Sequence, residues 1–211
     1  MVHINWEGEK VMIAIVNYGM GNLRSVQKAF ETVGYEAIVT YEKEQIKSAN
    51  AIVIPGVGAF YDAMNNLKNL GLDDVIAEEI KTGKPFLGIC LGMQVLFSYG
   101  YEVEKSEGLN IISGDIVKIP EGNKIPHMGW NSLDIKRESS ILKGVESGDY
   151  FYFVHSYYAR PQRPEVVVAT TEYGIEVPAV VQKDNIIGIQ FHPEKSSNTG
   201  LKILKNFGEL I

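Results

Sequence analysis

The sequence predicts an α/β fold in which a parallel sheet covered by helices on both faces forms the first half and mostly antiparallel strands follow in the C-terminal half. Three observations carry that prediction. Short apolar runs alternate with helical apolar stripes through the first half of the chain. A series of strand-like segments separated only by short turns follows, and a final amphipathic helix closes the sequence.

Val11 to Val16 is a continuous apolar run, as expected of a strand covered on both faces. The turn Gly19-Met20-Gly21-Asn22 leads from it into a helix that places Val26, Ala29, Phe30 and Val33 on one face and stops at Gly34. Ala37 to Tyr41 and Ala51 to Ile54 read as the next strands. Leu72, Val75, Ile76 and Ile80 mark a second helix before Gly83. Pro85 to Ile89 is a short buried strand, and Leu91 to Phe97 a helix after it. Repeated β-α-β order with apolar strands implies a parallel sheet with helices on both faces.

From about Leu109 the texture changes. Leu109 to Ile119, Leu133 to Lys136, Tyr150 to Tyr158, Val166 to Thr171, Ala179 to Gln182 and Ile186 to Gln190 are strand-like and mostly antiparallel in expectation. Turn signals such as Pro120-Glu121-Gly122-Asn123 and Asp184-Asn185 separate them. The last helix carries Ile203, Leu204, Phe207 and Leu210 on one face. With no repeat, low-complexity tract or long linker, the 211 residues read as one domain.

A net charge of −6 argues against nucleic-acid binding through a basic surface, and no basic run reaches the length of a polybasic membrane segment. The first ten residues lack the apolar centre of a signal peptide. A single cysteine makes neither an internal disulfide nor a Cys-rich zinc site, so a cytoplasmic, reducing location is expected.

Gly19-Met20-Gly21 after a strand, with Glu42 about twenty residues on, invites a dinucleotide-site reading. The third glycine of that fingerprint is replaced by Arg24, whose side chain would obstruct close helix–strand packing, so a tight βα turn is the preferred reading.

Gly88-Ile89-Cys90-Leu91-Gly92 sits where a buried strand runs into a helix, with the spacing of a nucleophile elbow and sulfur in place of oxygen. A sharp turn lifts the side chain out of the sheet, and flanking glycines remove Cβ atoms that would clash there. A helix N-terminus favours the thiolate, and the Leu91 N–H is placed to donate to an oxyanion. Against this stands the common fate of a lone cysteine, as a small buried hydrophobe; the glycines and the strand-to-helix position favour the nucleophile.

Among the histidines, His3 is set aside as part of a frayed N-terminus. His192 follows a strand and precedes Pro193-Glu194. In an extended segment residues two apart project to the same side, so Glu194 can orient one ring nitrogen while the other faces Cys90. A surface ion pair is the bland alternative. A metal site from His155, His192 and Glu194 has no zinc-like spacing, and no metal or cofactor is expected. His127 and His155 can equally be structural.

Lys84 to Gln94 (KPFLGICLGMQ) together with Phe191-His192-Pro193-Glu194 resembles the triad of class I glutamine amidotransferases. Asn17 to Asn22, Pro55-Gly56-Val57-Gly58, Pro126 to Asn131, Val154 to Tyr157 and Phe191 to Ser196 are similar to one subfamily, the glutaminase subunits of imidazole glycerol phosphate synthase. The resemblance implies the three-layer fold of that class, an α/β fold with a mixed central sheet flanked by helices and an added antiparallel section in the C-terminal half. It implies that Cys90 attacks the side-chain amide of glutamine, that His192 passes the proton to the departing ammonia, and that Glu194 holds His192 in its productive tautomer. A glutamyl thioester would then be hydrolysed.

It further implies oxyanion donors from Leu91 and the Gly56-Val57-Gly58 loop, and a grip on the substrate's amino-acid end by Gln94, Ser156 and Tyr157. Ammonia would pass to a (β/α)₈-barrel cyclase subunit across an interface including Asn22, Met128, Trp130 and Asn131. That heterodimer would make imidazole glycerol phosphate and an aminoimidazole carboxamide ribotide for histidine biosynthesis. The likeness begins near Met12, so residues 1–11 are expected to be an extension or tag and 12–211 the amidotransferase domain. Alternatives are a glutaminase for another acceptor, such as a sugar-amination pathway, a non-catalytic regulatory subunit, or a hydrolase of γ-glutamyl peptides.

Overall fold

The computed structural model describes residues 11–211. His3 and all of the expected extension except Val11 lie outside them. Val11 itself is buried with Ile13 and Ile15, so the packed domain includes it.

The order is β1 (Met12–Val16), α1 (Leu23–Thr32), β2 (Glu36–Thr40), α2 (Lys43–Ser48), β3 (Ala51–Gly56), α3 (Phe60–Leu70), α4 (Leu72–Lys81), β4 (Phe86–Cys90) and α5 (Leu91–Gln94). Then come β5 (Phe97–Tyr101), β6 (Lys105–Glu107), β7 (Ile112–Lys118), β8 (His127–Ser132), β9 (Asp134–Ile135), β10 (Tyr150–His155), β11 (Tyr157–Pro161), β12 (Val167–Glu172), β13 (Glu176–Lys183), β14 (Ile186–Ile189) and α6 (Ser197–Gly208).

The main sheet runs β2-β1-β3-β4-β14-β13-β12-β9. Its first five strands are parallel and the rest antiparallel, which is the mixed sheet expected. Alternation along each strand divides the core. Ile13, Ile15, Val53, Leu87 and Ile89 pack with Phe30, Phe151, Phe153, Phe191 and Phe207 on one face. Ala14, Val16, Ile52, Ile54 and Phe86 pack with Phe60, Met64, Leu67, Ile76 and Phe97 on the other. Both faces of the parallel strands are therefore covered, and that explains their unbroken apolar runs.

Several expectations are corrected. The helix expected over Leu91–Phe97 ends at Gln94 after one turn. The chain then enters β5, which pairs with β6 and β7 in a four-stranded sheet. Val95, Leu96 and Phe97 are all fully buried, so no helical periodicity marked the change. The strand expected from Leu109 starts at Ile112. The segment Tyr150–Tyr158 is two strands broken at Ser156: β10 pairs with β8, and β11 with β7 in the other sheet. Helices α2 and α3 had not been read from the sequence, although Phe60, Ala63, Met64 and Leu67 of α3 are buried at helical spacing. Leu210 lies beyond α6 and is partly exposed, so the buried face of that helix is Ile203, Leu204 and Phe207. Among the described residues no helix is long and apolar enough to cross a membrane.

Strands β4 and β14 are parallel neighbours in register, Ile89 opposite Ile189. Their C-terminal ends therefore emerge side by side, where open α/β sheets place their ligand crevices. That adjacency brings position 90 next to position 192.

Candidate active site

Cys90 ends β4 with φ 54° and ψ −107°, a left-handed conformation that a non-glycine residue adopts only where its surroundings enforce it. The enforcing contacts are visible at the two glycines. A Cβ on Gly92 would overlap the carbonyl oxygen of Ile54 on β3, and one on Gly88 would overlap the backbone of Gly92. The elbow is thus wedged between strand and helix with no room for side chains. The helix after it is a single turn, so its dipole acts on Cys90 less than the longer predicted helix would have.

The Cys90 side chain is nearly buried and accepts a hydrogen bond from Gln190 Nε2 at 3.6 Å. His192 Nδ1–H donates to Glu194 Oε1 at 2.9 Å. The local geometry differs from the extended segment expected, because Pro193–Lys195 form a 3₁₀ turn. Pro193 suits the first position of that turn, where it has no N–H to lose. Ser196 ties the turn to β10, donating its hydroxyl to His192 O and accepting from the Tyr152 N–H.

With Nδ1 committed to Glu194, His192 Nε2 is buried without a closed hydrogen bond and interacts with the Cys90 thiol. Burial acts to lower the His192 pKa, but Cys90 and Glu194 together outweigh it and hold the imidazolium up to about 10. At neutral pH the ring carries a proton it can give away.

A cavity of about 310 Å³ opens over the thiol. Val57, Leu91, Gln94, Ser156 and Tyr157, all singled out from the sequence, line it. Gly56 lies just behind, with the Tyr18 hydroxyl and the Leu91 side chain where its Cβ would be. That hydroxyl is buried without a partner, and burial, with Cys90 nearby, pushes the phenol pKa up. Gly21, the turn glycine of the dinucleotide question, has φ 102° and backs onto Pro55 and Gly56, where a Cβ would be crowded at 3.1 Å.

Gln94 Nε2 donates to Tyr157 O at 3.0 Å and to Gln190 Oε1 at 3.1 Å. Two residues that sequence reasoning missed belong to the site. Glu102 lines the cavity while its Oε2 accepts the Phe60 N–H at 2.7 Å. This contact links a bend to the start of α3, and no local pattern announces it. Gln190 was legible in principle, as a polar residue at the end of an apolar run two positions before His192.

The four expected interface residues divide. Asn22 is exposed, and Met128 and Trp130 are 62% and 50% exposed on the outer face of β8. Asn131 points the other way, donating Nδ2 to Glu172 O at 2.8 Å.

Residues 14–210 match the model of the glutamine amidotransferase class-I family. Three similar proteins each bear the name imidazole glycerol phosphate synthase subunit HisH. That of Caldanaerobacter subterraneus is 58% identical, covering 95% of this chain and 98% of its own. Those of Geobacter metallireducens and Methanothermobacter thermautotrophicus are 54% and 52% identical, covering 92% and 95% of this chain and 96% and 99% of theirs. Among solved structures, PurLQS from Thermotoga maritima superposes with a TM-score of 0.74 at 18% identity, covering 94% of this chain and 98% of that one. A structure described as glutamine amidotransferase superposes at 0.72 and 19% identity, with coverage of 92% and 98%. These two speak to the fold.

Proposed function

The chain belongs to the class-I glutamine amidotransferases, and within them to the HisH subunits of imidazole glycerol phosphate synthase; from that premise we propose that it hydrolyses glutamine with Cys90 as nucleophile and hands the ammonia to a synthase partner. The observation that carries the residue assignment is the convergence of three groups. A strained Cys90 lines the cavity, the buried His192 interacts with its thiol, and the Glu194 carboxylate lies 2.9 Å from His192 Nδ1 behind them.

The sulfur attacks the amide carbon of glutamine, and the oxyanion is met by the Leu91 N–H and a backbone N–H of the Gly56–Gly58 loop. The His192 imidazolium gives its proton to the departing nitrogen, releasing ammonia and leaving a glutamyl thioester. Neutral His192 then takes a proton from water as the water attacks, and glutamate leaves with sulfur and imidazolium restored. Glu194 keeps the proton on Nδ1 in the neutral stage and stabilises the cation in the charged one.

The polar groups of the cavity suit the other end of glutamine. Both Gln94 N–H groups are spent inside the protein, so the amide presents Oε1 to the cavity, and the Glu102 carboxylate stands nearby. Together they suit the α-ammonium, while the backbone at Ser156 and Tyr157 suits the α-carboxylate. We assign the partner as a (β/α)₈-barrel cyclase subunit that contacts the exposed Met128 and Trp130 on the outer face of β8 and the exposed Asn22. We take residues 12–211, with the buried Val11 packed against them, as the amidotransferase domain, and a free catalytic thiol suits a reducing cytoplasm.

Glutamate release should be weak for the subunit alone and should rise when the cyclase subunit and its nucleotide ligand are added. Absence of release under both conditions overturns the proposal.

A further inference from the structure

Two buried histidines have no part in the mechanism above. His127 on β8 lies directly opposite His155 on β10, and both are nearly inaccessible. Burial pushes their pKa values down to about 4 and about 3, so both rings are neutral.

Their hydrogen bonds admit one assignment of protons. A carbonyl only accepts, so the 2.8 Å contact to Tyr157 O places the proton of His155 on Nδ1. His155 Nε2 is then a bare acceptor, and His127 Nδ1 must carry the proton that fills the 2.9 Å contact between the rings. His127 Nε2 is in turn an acceptor and takes one Nδ2 hydrogen of Asn131 at 3.3 Å. The second Asn131 hydrogen goes to Glu172 O on β12, which anchors that end. Rings of Phe153 and Tyr173, with centroids 4.8 and 3.9 Å away, hold the His127 ring in its plane.

At the other end the Tyr157 carbonyl also receives Gln94 Nε2, so both its lone pairs are filled. Gln94 then reaches Gln190, and Gln190 reaches the Cys90 sulfur. From Asn131 to the Tyr157 carbonyl each donor forces the role of the next, and Gln94 donates into the same carbonyl from the other side.

We propose that Asn131, His127 and His155 are positioning residues, a one-way hydrogen-bond relay that locks the Tyr157 carbonyl and through it the Gln94 oxygen that meets glutamine's α-ammonium. The relay places the grip on substrate under the control of β8, whose opposite face carries Met128 and Trp130. It rests on the glutaminase reading for its consequence, though not for its geometry.

Two measurements test it. In the complex with the cyclase subunit, His127→Phe keeps the ring stacking but supplies no donor. The expected result is a KM for glutamine raised about tenfold, with kcat within about threefold, because the interaction lost is made before and during the reaction alike. His127→Asn puts an amide N–H where Nδ1 stood and should bring KM back to within about threefold of the parent. An unchanged KM in a folded His127→Phe, or an equal rise in both variants, overturns the proposal. Separately, ¹⁵N NMR of the parent chain at pH 7 should find both rings neutral, with the proton on Nδ1 and Nε2 bare. A proton on Nε2 of either ring overturns it, and this measurement decides alone if His127→Phe does not fold. A parent complex that releases no glutamate sinks the glutaminase reading while leaving the NMR result to judge the relay.

Discussion

His192 and Glu194 meet at 2.9 Å across a single turn, with side chains only 2% and 1% exposed. Water is excluded from the pair, so the carboxylate acts on the imidazole with little screening. Glu194→Gln keeps a polar group in place but removes the charge that holds the cation. The kcat for glutamate release should fall by about 10² or more with KM little changed, and the His192 pKa should drop below its value of about 10. Steady-state kinetics with NMR titration of the ring check both.

Cys90→Ala removes the only atom placed to form a thioester. Glutamate release should vanish in the complex, and mass spectrometry after rapid quenching should find no glutamyl adduct on the chain. Unchanged turnover would sink the nucleophile assignment.

The elbow glycines differ sharply from an open turn. Gly92→Ala sets a methyl group against the Ile54 carbonyl, a backbone atom that cannot step aside. A loss of about 3 kcal/mol or more in urea denaturation, or failure to fold, is expected. Gly122→Ala, where nothing lies within 4 Å of the new atom but φ is 100°, should cost only about 1 kcal/mol.

The buried histidine pair makes stability depend on pH in a defined direction. Above about pH 6.5 the rings are neutral in both folded and unfolded chains, and their contribution is fully present. As the pH falls toward 4, the unfolded chain binds two protons that the folded one refuses, since its values are about 4 and about 3. Stability should therefore fall by up to about 2.7 kcal/mol per pH unit in that window. His192 is charged in the folded chain throughout and in the unfolded chain below about pH 6, so it adds little slope below that pH, and its contribution above it cancels in the comparison with the variant. Denaturant midpoints at pH 7 and pH 5, compared with those of His127→Asn, isolate the effect: the variant should lose about half of it.

Trp130 is half exposed and touches Tyr152 edge-on at 6.2 Å. Trp130→Ala should leave the melting temperature of the subunit nearly unchanged and weaken its association with the cyclase subunit at least about tenfold by calorimetry. Equal affinity would remove Trp130 from the interface.

Much of the site was legible because its signals are local. The glycines flanking Cys90, and the two-residue step from His192 to Glu194, are short spacings that survive as text. The second half of the fold was harder. Val95 to Phe97 are buried on every side, so no period separated helix from strand there. Ser156 breaks one apolar run into strands of two different sheets, and only their pairing partners reveal it. Glu102 reached the cavity through a contact with Phe60, forty-two residues away in the chain.

The elbow around Cys90, the parallel strands and helices α1 and α4 of the first half, and the closeness of His192 to Glu194 were legible in the sequence itself, since each rests on the sterics and spacing of neighbouring residues. The tertiary structure alone decided that β14 lies beside β4, bringing His192 to the thiol, and that His127 faces His155. Those are long-range choices, made where apolar faces can be covered and buried polar atoms satisfied together, and neither condition is visible from one segment of chain.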